Sequence, residues 1–312
     1  MLIALTGGDG FIGSHMTRLL LQAGHEVRLI QRKPSSKASR VGDILDSVEW
    51  IQGDCGDSDF CEIAFSGVEV VYHFASSTNQ AITWSDPARE VREGLLRSVS
   101  CMEGAAHAGV KKFALASSGG TVYGRAQGML IENSHPKPFT PYGISKLAIE
   151  LFAHSITERT GMLVDVYRIS NPYGPFQFGD DKQGVIAIWL KRILQGKKVH
   201  VYGDHEAKRD YIFVEDVCNL IAYSIKHVGF FGTFNVCSGR AISTLELLSK
   251  VQDSLPIPFE SEVGPRRDFD NLSTELSNSR ILEHFKGYQF VSLEKGLERT
   301  WDWQSTYFTK ER

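Results

Sequence analysis

Tyr142 and Lys146 stand four residues apart in Tyr142-Gly143-Ile144-Ser145-Lys146, a spacing that puts both side chains on one face of a helix. A phenol beside an ammonium suits proton transfer. The cation favours the phenolate and lowers a pKa of about 10 toward the range where the hydroxyl exchanges protons with a substrate oxygen. A second pattern, Thr6-Gly7-Gly8-Asp9-Gly10-Phe11-Ile12-Gly13, follows the apolar run Leu2 to Leu5 and opens a segment with helical spacing at Phe11, Ile12, His15, Leu19 and Leu20. Gly7 permits a tight turn, Gly10 lets backbone approach a pyrophosphate, and Gly13 lets helix pack on strand, with the helix N-terminus facing the phosphates. Three glycines alone often mark only a turn; strand before, helix after and the Tyr142/Lys146 pair downstream make this a dinucleotide loop.

The elements that must position these residues can be traced along the first half. Apolar runs at Leu2 to Leu5, Val27 to Ile30, Val48 to Gln52, Val68 to Phe74, Phe113 to Ser117 and Leu163 to Ile169 predict strands, and Pro87 to Ala108 and Tyr142 to Thr160 predict helices. Such alternation predicts an α/β, Rossmann-type doubly wound parallel sheet with ligands at the carboxyl ends of its strands. Gly7, Asp54, Ala75, Ser76, Ser117, Ser118 and Asn171 fall at those ends. Past Pro172 the pattern becomes irregular, with a helix near Gly184 to Gln195, a strand Lys198 to Tyr202, and a return to strand, helix (Val214 to Lys226) and strand over Tyr211 to Val236. The expected division is a nucleotide-binding domain of residues 1–171 plus about 211–236, and a smaller C-terminal mixed α/β substrate domain of about 172–210 plus 237–312. Val185 and Val201 are candidate substrate-lining residues in that second part, as are Phe176, Phe178 and Trp189; all suit a core equally well.

Composition narrows the class. The 312 residues can bury a large core, and 34 basic against 37 acidic side chains leave a net charge of −3, which points away from nucleic acid and anionic membrane surfaces. With no signal-peptide pattern and no apolar run near 18 residues, a cytoplasmic protein is expected. Cys55, Cys61, Cys101, Cys218 and Cys237 are odd in number and contain no Cys-x-x-Cys pair, so neither a disulfide framework nor a metal site is expected.

The chain resembles the extended short-chain dehydrogenase/reductases of the NAD-dependent epimerase/dehydratase type, which modify nucleotide sugars. The resemblance rests on Thr6 to Gly13, Gly53-Asp54, His73-Phe74-Ala75, Ser117 to Gly124, Tyr142 to Lys146, Arg168-x-x-Asn171-Pro-Tyr-Gly-Pro175, Gly203-Asp204, Arg209-Asp210-Tyr211, Val214-x-Asp216 and the ending Leu293 to Trp301. It implies Tyr142 as acid/base, Lys146 on the nicotinamide ribose and Asp54 on the adenine. It also implies Asn171 and Arg209 on a sugar diphosphate, with Arg267 and Asp270 as further contacts; the planar fork of arginine suits phosphate oxygens. Gly7, Gly10, Phe11, Ile12, Gly13, Gln31, Arg32, Lys33, Cys55, Phe74, Ala75, Ser76 and Ser117 complete the expected cofactor contacts. The resemblance further implies a homodimer through the helix carrying Ile144, Leu147, Ala148, Leu151 and Phe152, whose apolar face could instead pack within one chain.

Departures from the family pattern shape the functional expectation. Gly119 stands where a hydroxyl usually meets the sugar oxygen, leaving Ser118 or Thr121 to supply it, and Gly94 stands where an Asn is usual. Gly120-Thr121 replaces the acidic pair that elimination needs, which argues against a dehydratase. The end of the second strand reads Ile30-Gln31-Arg32-Lys33; an acid there would repel an extra phosphate, whereas Arg32 and Lys33 could bind it. NADP(H) is therefore preferred over NAD(H), and the expected activity is NADPH-dependent reduction of a 4-keto-6-deoxyhexose carried on a nucleoside diphosphate. The alternatives are an NAD-dependent 4-epimerase of a UDP-hexose or UDP-N-acetylhexosamine, and a non-catalytic sensor of the same ligands.

Overall fold

The computed structural model describes all residues except 180–182, 204–205, 224–230, 266–267, 269–272 and 311–312. In chain order its strands are β1 (Leu2–Thr6), β2 (Glu26–Gln31), β3 (Glu49–Gln52), β4 (Val70–His73), β5 (Lys112–Ser118), β6 (Met129–Leu130) and β7 (Leu163–Ile169). Then follow β8 (Asn171–Tyr173), β9 (Val199–Tyr202), β10 (Lys208–Phe213), β11 (Thr233–Val236), β12 (Ala241–Ser243), β13 (Ser261–Gly264) and β14 (Glu275–Leu276). The helices are α1 (Phe11–Gln22), α2 (Ser58–Ala64), α3 (Gln80–Ser85), α4 (Pro87–Glu90), α5 (Arg97–His107), α6 (Pro141–Thr160), α7 (Val185–Leu194), α8 (Val214–Ala222), α9 (Thr244–Ser254), α10 (Ser279–Leu282) and α11 (Leu293–Lys310).

The chain forms two compact units. The first comprises residues 1–118, 138–168 and 218–234 and is built on the sheet ordered β11-β7-β5-β4-β1-β2-β3. Pairing is parallel between β1 and β2, β1 and β4, β2 and β3, and β4 and β5. This is the doubly wound Rossmann-like sheet expected, and strand order reverses between β1 and β4, where such sheets bind ligands. Its core packs Ala4, Val71, Phe113, Leu115 and Val166 of the strands against Cys61, Phe65, Met102 and Ala105 of α2, α5 and their connections. Helix α6 starts sharply because the Thr140 hydroxyl accepts from Gly143 N–H at 3.1 Å and Pro141 opens the first turn; it ends at Gly161, φ +77°.

The second unit comprises residues 119–137, 169–217 and 235–312. It contains a three-stranded sheet β12-β10-β8 and two-stranded ladders β13-β9 and β14-β6, around a core that includes Tyr173, Trp189, Leu190, Val201, Phe213, Leu247 and Leu297. The division differs from the one expected at residues 119–137, 169–171, 211–217 and 235–236, all of which fall in the second unit. Strand β10 pairs with β8 and β12 rather than returning to the large sheet, a choice that depends on long-range partners and leaves no local trace.

The helix expected over Pro87 to Ala108 is continuous from Pro87 to His107, with a π-helical turn at Val91–Leu96 joining α4 to α5. A single wide turn of this kind is common at functional sites.

The junction of β1 and β4 tolerates no side chain at Gly7. Its φ is +73°, and a Cβ would lie 2.8 Å from Ala75 N and 2.9 Å from Ala75 Cα. Gly7→Ala should therefore lower stability by about 1–3 kcal/mol from backbone strain alone, read as a reduced denaturant midpoint. An unchanged midpoint would mean the loop is not held against β4.

Candidate active site

The first unit gathers the glycine loop and the Tyr142/Lys146 pair. Gly10 N–H donates to Gly7 O and Ser14 N–H to Gly10 O, both at 2.9 Å. Helix α1 then begins with no side-chain cap and no acid in its first turn, so its N–H groups face outward as an anion site. A Cβ at Gly10 would come 2.9 Å from Gly7 O, and one at Gly13 would overlap the same oxygen. With its amide oxygen turned to the loop, Gln31 accepts from Gly8 and Asp9 N–H at 2.6 and 2.9 Å. Asp9 in turn accepts from the N–H groups of Ser39, Arg40 and Val41 at 2.7–3.1 Å. Uncapped helix and glycine cradle together fit a dinucleotide.

The other expected cofactor residues line the strand ends. Asp54 accepts from Gly56 N–H at 2.9 Å and pairs with Arg97 at 3.2 Å. Phe74, Ala75 and Ser76 follow β4, whose last residue is tied to β1 through Thr6. Ser117 is different: its hydroxyl is committed to Glu150, so its side chain anchors α6. Arg32 lies 3.7 Å from Glu93. Lys33 uses its carbonyl to accept from Trp50 Nε1 at 3.1 Å.

Tyr142 and Lys146 lie in the first two turns of α6. Lys146 is 8% exposed and donates to Ala116 O at 3.0 Å, with Nζ 5.6 Å from the Tyr142 ring centroid. Behind it, Glu150 and Arg168 form a buried ion pair at 2.6 Å. Burial lowers the Lys146 pKa, an effect opposed by Glu90 and Glu150. The expected lowering of the Tyr142 phenol is not found. Burial and the Glu90 carboxylate push it well above the usual tyrosine range, opposed by the Ser76 hydroxyl. Glu90 is the residue that sequence reasoning missed. A charged residue in a polar helical stretch reads as solvent-facing, yet it is buried, and burial raises its carboxyl above the usual range.

Ser118 ends β5 in the first unit, whereas Gly119 to Thr121 belong to the second, where Gly119 N–H donates to Ile169 O at 2.9 Å and Thr121 is buried. Also in the second unit, Asn171 Nδ2 donates to Asp210 O at 2.8 Å and Arg209 Nη1 to Lys208 O at 2.9 Å. Val185 opens α7 half-buried, while Val201 is 2% exposed inside the core and offers no ligand surface. Trp189 is likewise core, and Phe176 and Phe178 pack on Trp303. Arg267, Asp270 and Asp204 lie outside the described residues.

The cysteines are all free. Cys55, His73 and Cys101 bring one ligand atom each within 4.8 Å of one another, a convergence their spacing did not announce. Both His73 nitrogens are engaged, with Thr6 Oγ1 at 2.7 Å and Ser98 Oγ at 3.1 Å. No helix among the described residues is long and apolar enough to cross a membrane.

Residues 3–237 match the family model described as NAD dependent epimerase/dehydratase family. The chain belongs to this family. A UDP-glucose 4-epimerase from Thermotoga maritima, solved with UDP-glucose, is 30% identical with TM-score 0.91, over 99% of this chain and 100% of that one. A UDP-glucose 4-epimerase from Thermus thermophilus, in complex with NAD, is 29% identical with TM-score 0.89, over 97% and 99%. A dTDP-4-dehydro-6-deoxyglucose reductase from Escherichia coli is 28% identical over 81% of both chains. The protein is thus an enzyme of the extended short-chain dehydrogenase/reductase type.

Burial and the charge of Lys146 hold the His73 pKa down to about 3 from an ordinary 6.5. The neutral imidazole stabilises the fold at pH above 6.5, and this contribution should disappear as pH falls from there toward 3. The slope in unfolding free energy approaches about 1.4 kcal/mol per pH unit for one proton. His73→Asn should remove that slope; denaturant titrations at several pH values that keep it would place the titrating group elsewhere.

Proposed function

We propose that this protein is an NAD-dependent nucleotide-sugar 4-epimerase acting on a UDP-hexose. The observation that carries the reading is the half-buried Tyr142 beside the buried Lys146, in the same unit as the uncapped glycine-loop helix. The two solved epimerases at about the same identity over nearly the whole chain support a 4-epimerase. Their weight outruns the basic loop on which the NADPH-dependent ketoreductase expectation rested. Arg32 faces the Glu93 carboxylate and Gln31 holds the glycine loop, an arrangement that disfavours a further phosphate there.

In this reading NAD, when bound, supplies the hydride acceptor and donor. The chain does the rest. The Tyr142 oxygen takes the proton of the sugar C4 hydroxyl as hydride leaves that carbon, and returns it after the keto sugar has presented its other face. Lys146 stabilises the phenolate form of Tyr142, which accepts this proton and is regenerated when the proton is given back. Gly7, Gly10 and Gly13 admit the pyrophosphate to the α1 N-terminus, and Asp54, fixed by Arg97, is the proposed adenine contact. Ser118 is the proposed donor to the sugar oxygen, and Asn171 and Arg209 are the proposed diphosphate ligands, with Val185 beside the sugar nucleotide. Arg267 and Asp270 keep the diphosphate-side roles that the family resemblance implies.

Purified protein given NAD and UDP-glucose or UDP-N-acetylglucosamine, without added reductant, should form the 4-epimer. Tyr142→Phe should retain fold and NAD affinity while losing at least ~100-fold in rate, and Ser118→Ala should lose more than Thr121→Ala. Turnover only of a 4-keto-6-deoxy sugar, with stoichiometric NADPH consumption, would restore the reductase. Absence of any Tyr142-dependent turnover would favour the sensor.

We also propose a homodimer. Helix α6 buries Lys146, Ile149, Glu150, Ala153 and Ile156 but exposes Ile144 at 53%, Leu151 at 62% and Phe152 at 45%, and Val91 and Leu96 are exposed on the neighbouring π turn. The outward apolar residues thus lie opposite the face packed on the sheet. Sedimentation equilibrium should give twice the chain mass, and Leu151→Glu with Phe152→Glu should give the monomer; an unchanged mass would exclude this face.

A further inference from the structure

Glu90 has no role in the assignments above. It ends α4, is 1% exposed, and neither carboxylate oxygen has a hydrogen-bond partner among the described residues. The buried hydroxyls of Thr78 and Ser145 face the carboxylate and act on it as donors, lowering its pKa, without reaching full hydrogen-bond geometry. Burying a carboxylate without well-formed hydrogen bonds is costly, and the net effect on Glu90 is that burial outweighs the help of Thr78, Ser145 and Lys146.

The fold makes a berth for this carboxylate. A Cβ at Gly94 would overlap Glu90 Oε1 and come 2.8 Å from Glu90 Cδ. Gly94 sits in the π turn, and a hydrogen-bond chain fixes it from the sheet side. The Ser98 hydroxyl donates to Gly94 O at 2.8 Å, which makes Ser98 Oγ the acceptor for His73 Nε2–H, and the Thr6 hydroxyl then donates to His73 Nδ1. Strands β1 and β4 and helix α5 thus converge on one glycine, and that glycine leaves the space Glu90 fills. Helix α6 packs against both α4 and the π turn and brings Tyr142, Ser145 and Lys146 to Glu90.

We propose that Glu90 is a positioning residue for the Tyr142–Lys146 pair, the buried carboxylate that holds Lys146 as a cation away from water and sets the charge facing the Tyr142 oxygen. The proposal rests on the acid/base reading of Tyr142. Its electrostatic consequences agree in sign: the Glu90 charge raises both Tyr142 and Lys146. The other titratable groups at this cluster are Glu150, which faces Lys146 from α6, and His73, which faces it from β4. Neither reaches the Tyr142 phenol as Glu90 does. The glycine in place of the usual asparagine thereby gains a reason: no larger residue at position 94 leaves room for the carboxylate.

The test compares NAD-loaded wild type, Glu90→Gln, Gly94→Ala, Glu90→Ala and the double variant Glu90→Ala/Gly94→Ala. In Glu90→Gln the ascending limb of the kcat/KM pH profile should move to lower pH by about one unit, the size of shift a single neighbouring charge produces, with KM little changed. Gly94→Ala, which crowds the carboxylate out of its berth, should move the limb the same way. The double variant should move it no further than Glu90→Ala alone. Stability gives a readout without turnover. Burial raises the Glu90 carboxyl, so its contribution is present below about pH 4.5 and is lost as pH rises through the folded value. Glu90→Gln should therefore gain stability over wild type as pH rises. A folded Glu90→Gln variant with an unmoved limb, or one less stable than wild type at every pH, overturns the proposal. If no nucleotide sugar is turned over, phenolate absorbance of NAD-loaded protein, taken against Tyr142→Phe, reads Tyr142 alone. Its midpoint should still fall in Glu90→Gln, so the proposal stands or falls separately from the reaction assignment.

Discussion

The first unit depends on keeping one ammonium, Lys146, out of water beside a phenol. A buried cation must be held by compensating charge and hydrogen bonds or give up its proton. Here the Ala116 carbonyl takes one hydrogen bond, Glu150 stands behind, itself locked by Arg168 and Ser117, and Glu90 stands in front. Ala116 and Ser117 come from β5, Arg168 from β7, Glu90 from α4 and Glu150 from α6 itself, so the position of Lys146 records the packing of these four elements together. The cost is visible in the direction of the ionisations: the phenol rises, the ammonium falls, and His73 on the neighbouring strand stays neutral. A cluster tuned in this way is unfavourable for folding and useful for moving protons.

Local rules made the parallel sheet and its ligand edge legible. The apolar runs of β1, β2, β4, β5 and β7 and the helical spacing of α1 and α6 carry their own periodicity, and the Thr140 cap with Pro141 marks where α6 must begin. What misled was any feature set by distant partners. Gln31 and Asp9 read as a cofactor edge and a loop residue, yet both side chains are spent holding backbone N–H groups of neighbouring loops. The Ser117 hydroxyl, placed at the ligand edge by its strand position, is committed to Glu150. Val201 suited a pocket or a core equally, and close packing in the second unit decided for the core.

The same distinction runs through function. Residue types and spacing sufficed for the family and for hydride chemistry on a nucleotide sugar, because Tyr142, Lys146 and the glycine loop act through short, repeatable geometry. Cofactor choice turned on Arg32, and a charge in an exposed loop has no fixed meaning until its neighbours are known. Here a neighbour is Glu93 on the π turn, 61 residues further along the chain and 3.7 Å away.

By itself, the sequence determined the α/β class, the glycine loop between β1 and α1 and the helix that carries Tyr142 and Lys146 on one face, since these follow from periodicity, glycine conformational freedom and the four-residue helical repeat. Only the tertiary structure decided the protonation environment. Glu90 belongs to a polar stretch that looks solvated, and its burial follows from a widened helical turn at Gly94, pinned by Ser98 and His73 and pressed on by α6. Whether a carboxylate repels, pairs with or tunes a phenol is a matter of distance and desolvation, and neither quantity exists until the chain has packed.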